Sequence, residues 1–584
     1  MTGEKKLSYY LNRAEELAGQ TFEKKIRIAL LGSFTLNGLA ETLKVMCAEK
    51  NIQCTTYVAG YNQYNQEILN AESDLYKFSP DISFLLIDSR TILGDLFYYP
   101  YSISKNERKK FVDKTIDEIQ KLIHVFDKKT NSKLVLNNFN IPTFSPYGIV
   151  ETKTDYGQHQ MITELNNRLA NLFSNSNSIF IYDFNNFVSK YGEKSIFNDK
   201  QFLFGDMKIS LDYIPYLAND LLSYIISYLG ISKKCIVLDL DNTLWGGIIG
   251  EDGFNGIKLG LEPPGNAYME FQRVLLSLYQ RGIILAINSK NNYEDAIKVI
   301  KEHPYMILRE DHFASLRINW NDKISNMKEI ANELNIGLDS MTFFDDDPVN
   351  REYMKINLPQ LLTVDLPEDP SQYTEIIKNM NEFSVLNITP EDRQRGKMYT
   401  EQRKRKELEN TTPDLQSFLK QLDLKISIKN ANEFTIPRIS QLTLKTNQFN
   451  LTTKRYQEAD IKKFSQDQNY MIGCAQVEDK FGDNGITGVF IVHKENPKEW
   501  FIDTFLLSCR VMGREVEKGI LGYILNKAKE SGVERIKAQF IPSQKNKPIE
   551  DFLPSCSFQK EGDLWVYSIK SSFAIPECLT VCVE

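Results

Sequence analysis

The sequence predicts an α/β protein of three units, two built on parallel sheets and the third on a mixed sheet. Three observations carry that reading. Short apolar runs alternate with helix-like segments twice over in the first 380 residues, the pattern of parallel strands with helices packed on both faces. At 584 residues the chain exceeds what one hydrophobic core organises, since single cores stop growing at roughly 250–300 residues. Beyond a charged stretch near residue 390 the pattern changes to closely spaced strands with one intervening helix.

Unit one, residues 1–230, has a short helical lead and then the run KIRIALLGSF, whose unbroken apolar core suits a buried strand. A helical stretch near Leu36–Glu49 follows, and QCTTYVAGY, DISFLLID, SKLVLNNF and SIFIYDF continue the alternation. Unit two, 231–380, has strands at KCIVLDLD, GIILAINSK, MILRE and SMTFFDDD. Its helices are expected at GNAYMEFQRVLLSLYQRG, YEDAIKVIKEH and NDKISNMKEIANELN. The first, second and last of these strands end in polar residues, and open parallel sheets bind ligands at their carboxyl ends. Residues 381–411, from TPEDRQRGKMYTEQRKRKELEN, read as a connecting helix opened by Thr-Pro-Glu, its charge run a solvated face. Unit three, 412–584, has strands at YMIGCAQVED, ITGVFIVHK, EWFIDTFLLSCR and VERIKAQFI, the last two separated by a helix over about 511–529.

Composition narrows the function classes. Seventy Lys and Arg against 77 Asp and Glu leave a net charge of −7, which gives no general field for nucleic acid or anionic lipid. The first residues lack the apolar core of a secretion signal and no stretch of about 18 apolar residues occurs, so a cytoplasmic protein without a membrane span is expected. Eight cysteines without a CxxC pair fit neither a disulfide framework nor a zinc site, and the five histidines show no ligand spacing, so a transition metal is not indicated.

The chemistry concentrates in unit two. Asp239 and Asp241 stand one residue apart where an apolar strand ends, and strand alternation points them to the same side. Two adjacent carboxylates resist joint ionisation unless a proton or cation lies between them, and magnesium would serve. Taken alone, the pair is equally a solvated strand end or a helix cap. Ser289 follows the second apolar strand, Lys323 opens a helix, and Asp345, Asp346 and Asp347 close the last strand. Three adjacent carboxylates there are hard to account for without a cation.

In this order, Asp-x-Asp-x-Thr, Ser, Lys and Asp-Asp resemble the four motifs of the haloacid dehalogenase superfamily of phosphotransferases. The resemblance implies Asp239 as nucleophile and Asp241 as general acid and base. It implies Mg2+ held by Asp239, the Asp241 carbonyl and one of Asp345 or Asp346, with Ser289 and Lys323 on phosphoryl oxygens. More narrowly, LDLDNTLWGGIIGEDG, PPGNAYMEFQ, NSKNN, FASLRINWNDK, LNIGLDSMTFFDDDPVNR and LTLKTNQFNLTTKRY together resemble the FkbH-like proteins. That resemblance implies transfer of a glyceryl unit from 1,3-bisphosphoglycerate to the phosphopantetheine thiol of an acyl carrier protein, with loss of phosphate, for polyketide assembly. Lys290, Arg317 and Trp320 are candidates for the other end of the substrate, each equally a surface or packing residue, and Asn242 and Thr243 complete the substrate-binding set. Two departures stand out: Asn288 occupies a position where many members carry cysteine, and the last motif reads Asp-Asp-Asp-Pro rather than Asp-Asp-Asn-Pro. A phosphatase without a carrier and a non-catalytic scaffold are the alternatives.

The flanking units carry weaker resemblances. Unit one resembles an SGNH-hydrolase or flavodoxin-like sheet with Ser33 after its first strand. Ester hydrolysis there would need a histidine, while His159 lies mid-domain and FLFGDMKIS offers only Asp206, so Ser33 reads as a helix cap or turn residue and the unit as a binding module. Unit three resembles an acetyltransferase (GNAT-like) fold. Its RVMGRE turn keeps Arg510 and Gly513 but puts Glu515 where a small residue cradles pyrophosphate, so no cofactor is expected. Cys235 reads as core, and Cys509 as packing beside Arg510.

Overall fold

Five apolar runs of unit one form a single parallel sheet in the computed structural model, which describes residues 5–17, 19–570 and 572–584. They are β1 (Lys24–Gly32), β2 (Ile52–Val58), β3 (Ile82–Leu86), β4 (Lys133–Asn137) and β5 (Ile179–Tyr182), in the order β2-β1-β3-β4-β5. β3 is buried along its whole length, which is why it reads as an unbroken apolar run. Helix Lys105–Lys129 lays Val112, Ile116, Ile119, Ile123 and Phe126 on the sheet, a stripe at three- and four-residue spacing, and starts from a Ser104/Glu107 capping box. The strand order reverses between β1 and β3, so their carboxyl ends flank a crevice.

The chain folds as two compact units, one ending at Leu229 and taking in Ser384–Asn387, the other comprising Gly230–Phe383 and Ile388–Glu584. The second contains two sheets. Its parallel sheet has β6 (Cys235–Leu238), β7 (Ile284–Ser289), β8 (Phe313–Ile318), β9 (Met341–Asp345) and β10 (Leu362–Asp365), in the order β10-β9-β6-β7-β8. β6 is central: the chain leaves it on one side for β7 and β8, then returns on the other for β9 and β10. Cys235 is fully buried in this core, as read from sequence. MILRE is not a strand, and FASLRI supplies β8 instead. Met306 and Leu308 are buried in a connection before that strand, so apolarity alone misplaced it.

The charged segment is a helix with one solvated face and one packed face. Helix Pro390–Thr411 lies against β8 of the parallel sheet and against the third sheet. Met398, Tyr399, Thr400 and Arg405 are buried along it, and a Cβ at Gly396 would meet the Tyr279 ring at 2.1 Å. Lys397, Lys404 and Lys406 keep a solvated face, while the opposite face buries charge: Arg405 makes a two-pronged contact of 2.6 and 2.8 Å with Asp479. Charge density counts side chains and does not show where their partners sit.

The third sheet is mixed, as expected. It comprises β11 (Leu424–Asn430), β12 (Phe449–Asn450), β13 (Tyr470–Asp479), β14 (Gly482–Asn496), β15 (Glu499–Leu507), β16 (Arg535–Ala538), β17 (Gln559–Glu561), β18 (Leu564–Ser568) and β19 (Leu579–Val583). The order is β17-β18-β16-β15-β14-β13-β11-β19, with β12 on β15. β15–β16 and β11–β19 are parallel and the other pairs antiparallel. The helix between β15 and β16 runs Val516–Glu530, a turn later than expected, because Cys509–Val511 form a separate short turn.

Candidate active site

At the carboxyl end of β6, where the strand order reverses, the chain delivers Asp239. Its backbone N–H continues the ladder by donating to Phe344 O at 2.9 Å, so its side chain is aimed by the sheet itself. Asp345 ends the neighbouring β9 and is completely buried; Asp346 follows it. Among the described residues, Asp239, Asp345 and Asp346 bring ligand oxygens within 4.8 Å of one another.

Lys323 lies between two of them. It is the first residue of helix Lys323–Leu334, which Asp322 caps by accepting from the N–H groups of Ile324 and Ser325. Its Nζ stands 3.1 Å from Asp239 Oδ1 and 2.5 Å from Asp345 Oδ2. Burial works against this ammonium, but the charges of Asp239 and Asp345 outweigh it and hold its pKa above the usual lysine range. The contact with Asp239 is an ion pair without hydrogen-bond direction, and Asp239 Oδ1 is left buried without a donor. Burial, then the charges of Asp239 and Asp345, push Asp346 up to about 6. A buried orphan oxygen within an all-oxygen donor set fits a hard divalent cation. Asp239, Asp345 and Asp346 are the residues that could hold one.

Asp241 is held by a different set of groups. Its Oδ1 accepts from Trp245 Nε1 at 2.8 Å and from the Ile249 N–H at 3.1 Å, and its Oδ2 accepts from Asn291 Nδ2 at 2.9 Å. Burial nonetheless keeps its pKa above the usual carboxylate range. Asn291 also donates to Ser289 Oγ at 3.1 Å, tying the end of β7 to Asp241. Neither Trp245 nor Asn291 was assigned a role from sequence; both lie inside the motif segments, but only the fold brings their donors to Asp241.

The remaining candidates divide. Asn242, at φ 50°, shapes the turn after Asp241 by accepting from the Gly247 N–H at 2.8 Å. Thr243 is fully buried. Arg317 is committed to helix Lys323–Leu334, 3.0 Å from Glu329 and 2.8 Å from Glu333. Lys290 is exposed just past Ser289, and Trp320 is 74% exposed after β8. Asp347 caps helix Pro348–Asn357 through the Val349 N–H at 2.9 Å, so the third carboxylate of the Asp-Asp-Asp run rests on a helix N-terminus. Asn288 is fully buried, donating to Lys323 O and accepting from Asn326.

In unit one, Ser33 lies in the bend just past β1, a turn residue rather than a helix cap. Helix Leu39–Ala48 begins after Gly38, and Ser33 Oγ accepts from the Asp88 N–H at 2.8 Å, tying the ends of β1 and β3. Lys208, fully enclosed, pairs with the Asp88 carboxylate, and His159 N–H donates to Glu151. Asp206 accepts from Tyr61. In the third sheet's turn, Glu515 adopts φ 66° at the start of helix Val516–Glu530 and pairs with Lys518 at 2.8 Å.

Residues 27–226 match the model of the FkbH N-terminal domain family. The chain is similar to a crystal structure of the N-terminal part of the protein BF1531 from Bacteroides fragilis, which contains a phosphatase domain and is complexed with Mg. The two share 28% identity at a TM-score of 0.60, over 66% of this chain and 100% of that one. The ribosomal-protein-S18-alanine N-acetyltransferase from Escherichia coli covers 25% of this chain with 95% of its own length, at 10% identity and a TM-score of 0.21. No curated protein sequence matches the chain. A match to the FkbH N-terminal domain over unit one and a likeness to a phosphatase-containing structure over two thirds of the chain are what known proteins contribute to its reading.

Proposed function

We propose that the parallel sheet of β6–β10 carries a magnesium-dependent phosphatase centre for a small phosphorylated substrate. The observation that carries this reading is Asp239 Oδ1: a buried carboxylate oxygen, lacking a donor, 3.1 Å from an ammonium and beside two further carboxylates. An Asp239 oxygen attacks phosphorus while the bond from phosphorus to the leaving oxygen breaks, giving an aspartyl-phosphate. Asp241, held protonatable by burial, gives its proton to that leaving oxygen. It then takes a proton from water, whose oxygen displaces Asp239 and releases inorganic phosphate. Lys323 and Ser289 steady phosphoryl oxygens, and Asn291 keeps Asp241 in line with Ser289. Magnesium, supported by the all-oxygen donor set and by the Mg in the Bacteroides structure, would supply charge neutralisation on the phosphoryl group through Asp239, Asp345 and Asp346.

The match to the FkbH N-terminal domain favours a more specific role: loading a glyceryl unit from 1,3-bisphosphoglycerate onto the phosphopantetheine thiol of an acyl carrier protein. Asn288 is buried and Cys235 begins β6, at the end opposite Asp239, so neither position offers a thiol for the acyl group. The carrier thiol would therefore attack the acyl phosphate directly. The test is the intact mass of a holo acyl carrier protein incubated with the chain, magnesium and 1,3-bisphosphoglycerate, with released phosphate measured in the same sample. A glyceryl-sized gain with phosphate supports loading. Phosphate without a gain removes loading and leaves the phosphatase, and absence of both removes the proposal.

A further inference from the structure

Where β9 ends, the peptide carbonyls of Asp345 and Asp346 are met by one side chain. Arg351, the fourth residue of helix Pro348–Asn357, turns back so that its Nη1 donates to Asp345 O at 2.8 Å and to Asp346 O at 2.6 Å. That nitrogen carries two N–H bonds, one for each carbonyl, so both peptide planes are fixed by a single guanidinium. The arginine is buried, and the carboxylate that pairs with it among the described residues is a distant one. Asp365 stands 3.6 Å from Nε, is 63% exposed and is held at 2.6 Å by Lys355. The short bonds of this buried cation therefore go to backbone oxygens of the acidic loop and not to a carboxylate.

The two aspartates depend on that hold unequally. Asp345 Oδ1 accepts from the Asp347 N–H at 2.9 Å and from Asn350 Nδ2 at 3.4 Å, and its Oδ2 meets Lys323 at 2.5 Å, so its carboxylate is fixed at both oxygens. No hydrogen bond from another residue reaches the Asp346 carboxylate among the described residues. Its direction is inherited from its own backbone, which Arg351 fixes. Magnesium demands near-ideal octahedral geometry at short distances, whereas calcium accepts about six to eight oxygens in flexible arrangements. Rigidity of a carboxylate donor set therefore favours the smaller ion.

We propose that Arg351 is a positioning residue that gives the centre its preference for magnesium over calcium, a role that rests on the magnesium centre proposed above. It acts by fixing the backbone from which the Asp346 carboxylate projects. Removing the guanidinium leaves Asp239, Asp345 and Asp346 in the chain and loosens the one whose side chain has no other hold. Groups that orient metal ligands without touching the metal typically change affinity by about 10–100-fold.

The test is isothermal titration calorimetry of the full chain with magnesium chloride and, separately, with calcium chloride, with no phosphorylated substrate present. In Arg351→Met, which keeps much of the side-chain volume and offers no donor, magnesium affinity is expected to fall about tenfold and calcium affinity less than about threefold. A general loosening of the fold would lower both alike. Arg351→Lys restores a buried cation whose ammonium ends one bond short of Nη1. It is expected to lower the ratio of magnesium to calcium affinity by about threefold, and it carries the test if circular dichroism shows the methionine variant unfolded. An unchanged ratio in a folded variant overturns the proposal. Asp239→Asn distinguishes this failure from that of the centre itself. If that variant binds magnesium as the parent does, the centre falls and the role of Arg351 with it. If binding requires Asp239 while the ratio is unchanged in the Arg351 variants, the role of Arg351 alone is removed.

Discussion

The side-chain amide of Asn288 donates a 2.8 Å hydrogen bond to the backbone carbonyl of Lys323, the residue whose ammonium lies between Asp239 and Asp345. The position is thus a clamp behind the site. Asn326 donates to the Asn288 carbonyl at 3.2 Å, which closes the buried link between β7 and helix Lys323–Leu334.

Asn288→Ala removes both bonds and leaves the Asn326 amide with Asn319 as its remaining acceptor, a loss of about 1–2 kcal/mol in unfolding free energy. Denaturant unfolding checks the value, and turnover should fall with it as Lys323 loses its fixed position. Asn288→Cys should give a thiol that iodoacetamide does not reach in the folded chain, read by intact mass. Rapid alkylation would show that the side chain at 288 reaches solvent.

Asp239→Asn should lower phosphate release from p-nitrophenyl phosphate by about 10³-fold or more, because an amide cannot form the phosphoenzyme. The same change should raise the melting temperature in EDTA, where one lysine serves two carboxylates and a third stands nearby. Magnesium should raise the melting temperature of the parent and leave that of the variant almost unmoved. Thermal scans with and without the metal decide both points.

Asp479→Ala removes the two-pronged partner of Arg405, 1% exposed, and takes away the carboxylate paired with Arg514. Arg405 keeps Glu401 at 3.6 Å but loses its two-pronged partner, so the cost is expected at about 2–3 kcal/mol, below that of a buried cation left wholly unpaired. Chemical denaturation should show a loss of this order, whereas a solvated linker would register almost none.

In unit one, burial holds Asp220 above the usual carboxylate range, against the hydrogen bond it accepts from Tyr182 at 3.0 Å. The folded chain therefore binds the Asp220 proton more tightly than the unfolded chain. Stability from this group is present below its raised folded value and is lost as pH rises from the unfolded value of 3.8 through it. Asp220→Asn, which keeps an acceptor for Tyr182, should raise the melting temperature at pH 7 and leave it nearly unchanged near pH 4. An equal effect at both pH values would show that Asp220 is not the titrating group.

Sequence by itself determined the alternation of apolar strands and helices, the two parallel sheets, and the strand-end residues Asp239, Ser289 and Asp345, because a fully buried strand must be apolar until it reaches its ligand-bearing end. Lys323 was legible too, as the first residue of a polar helix opening. Tertiary structure alone decided the rest. The strand at FASLRI competed with an equally apolar connection before it, and the burial of helix Pro390–Thr411 depends on Asp479, 74 residues away from Arg405. The orientation of Asp241 toward Trp245 and Asn291 and the role of Asp347 as a helix cap follow the same rule. Local pattern sets where a side chain points from its own strand or helix. Which charges and donors it meets there is set by packing between elements distant in the chain, and those partners settle the ionisation and chemistry of each group.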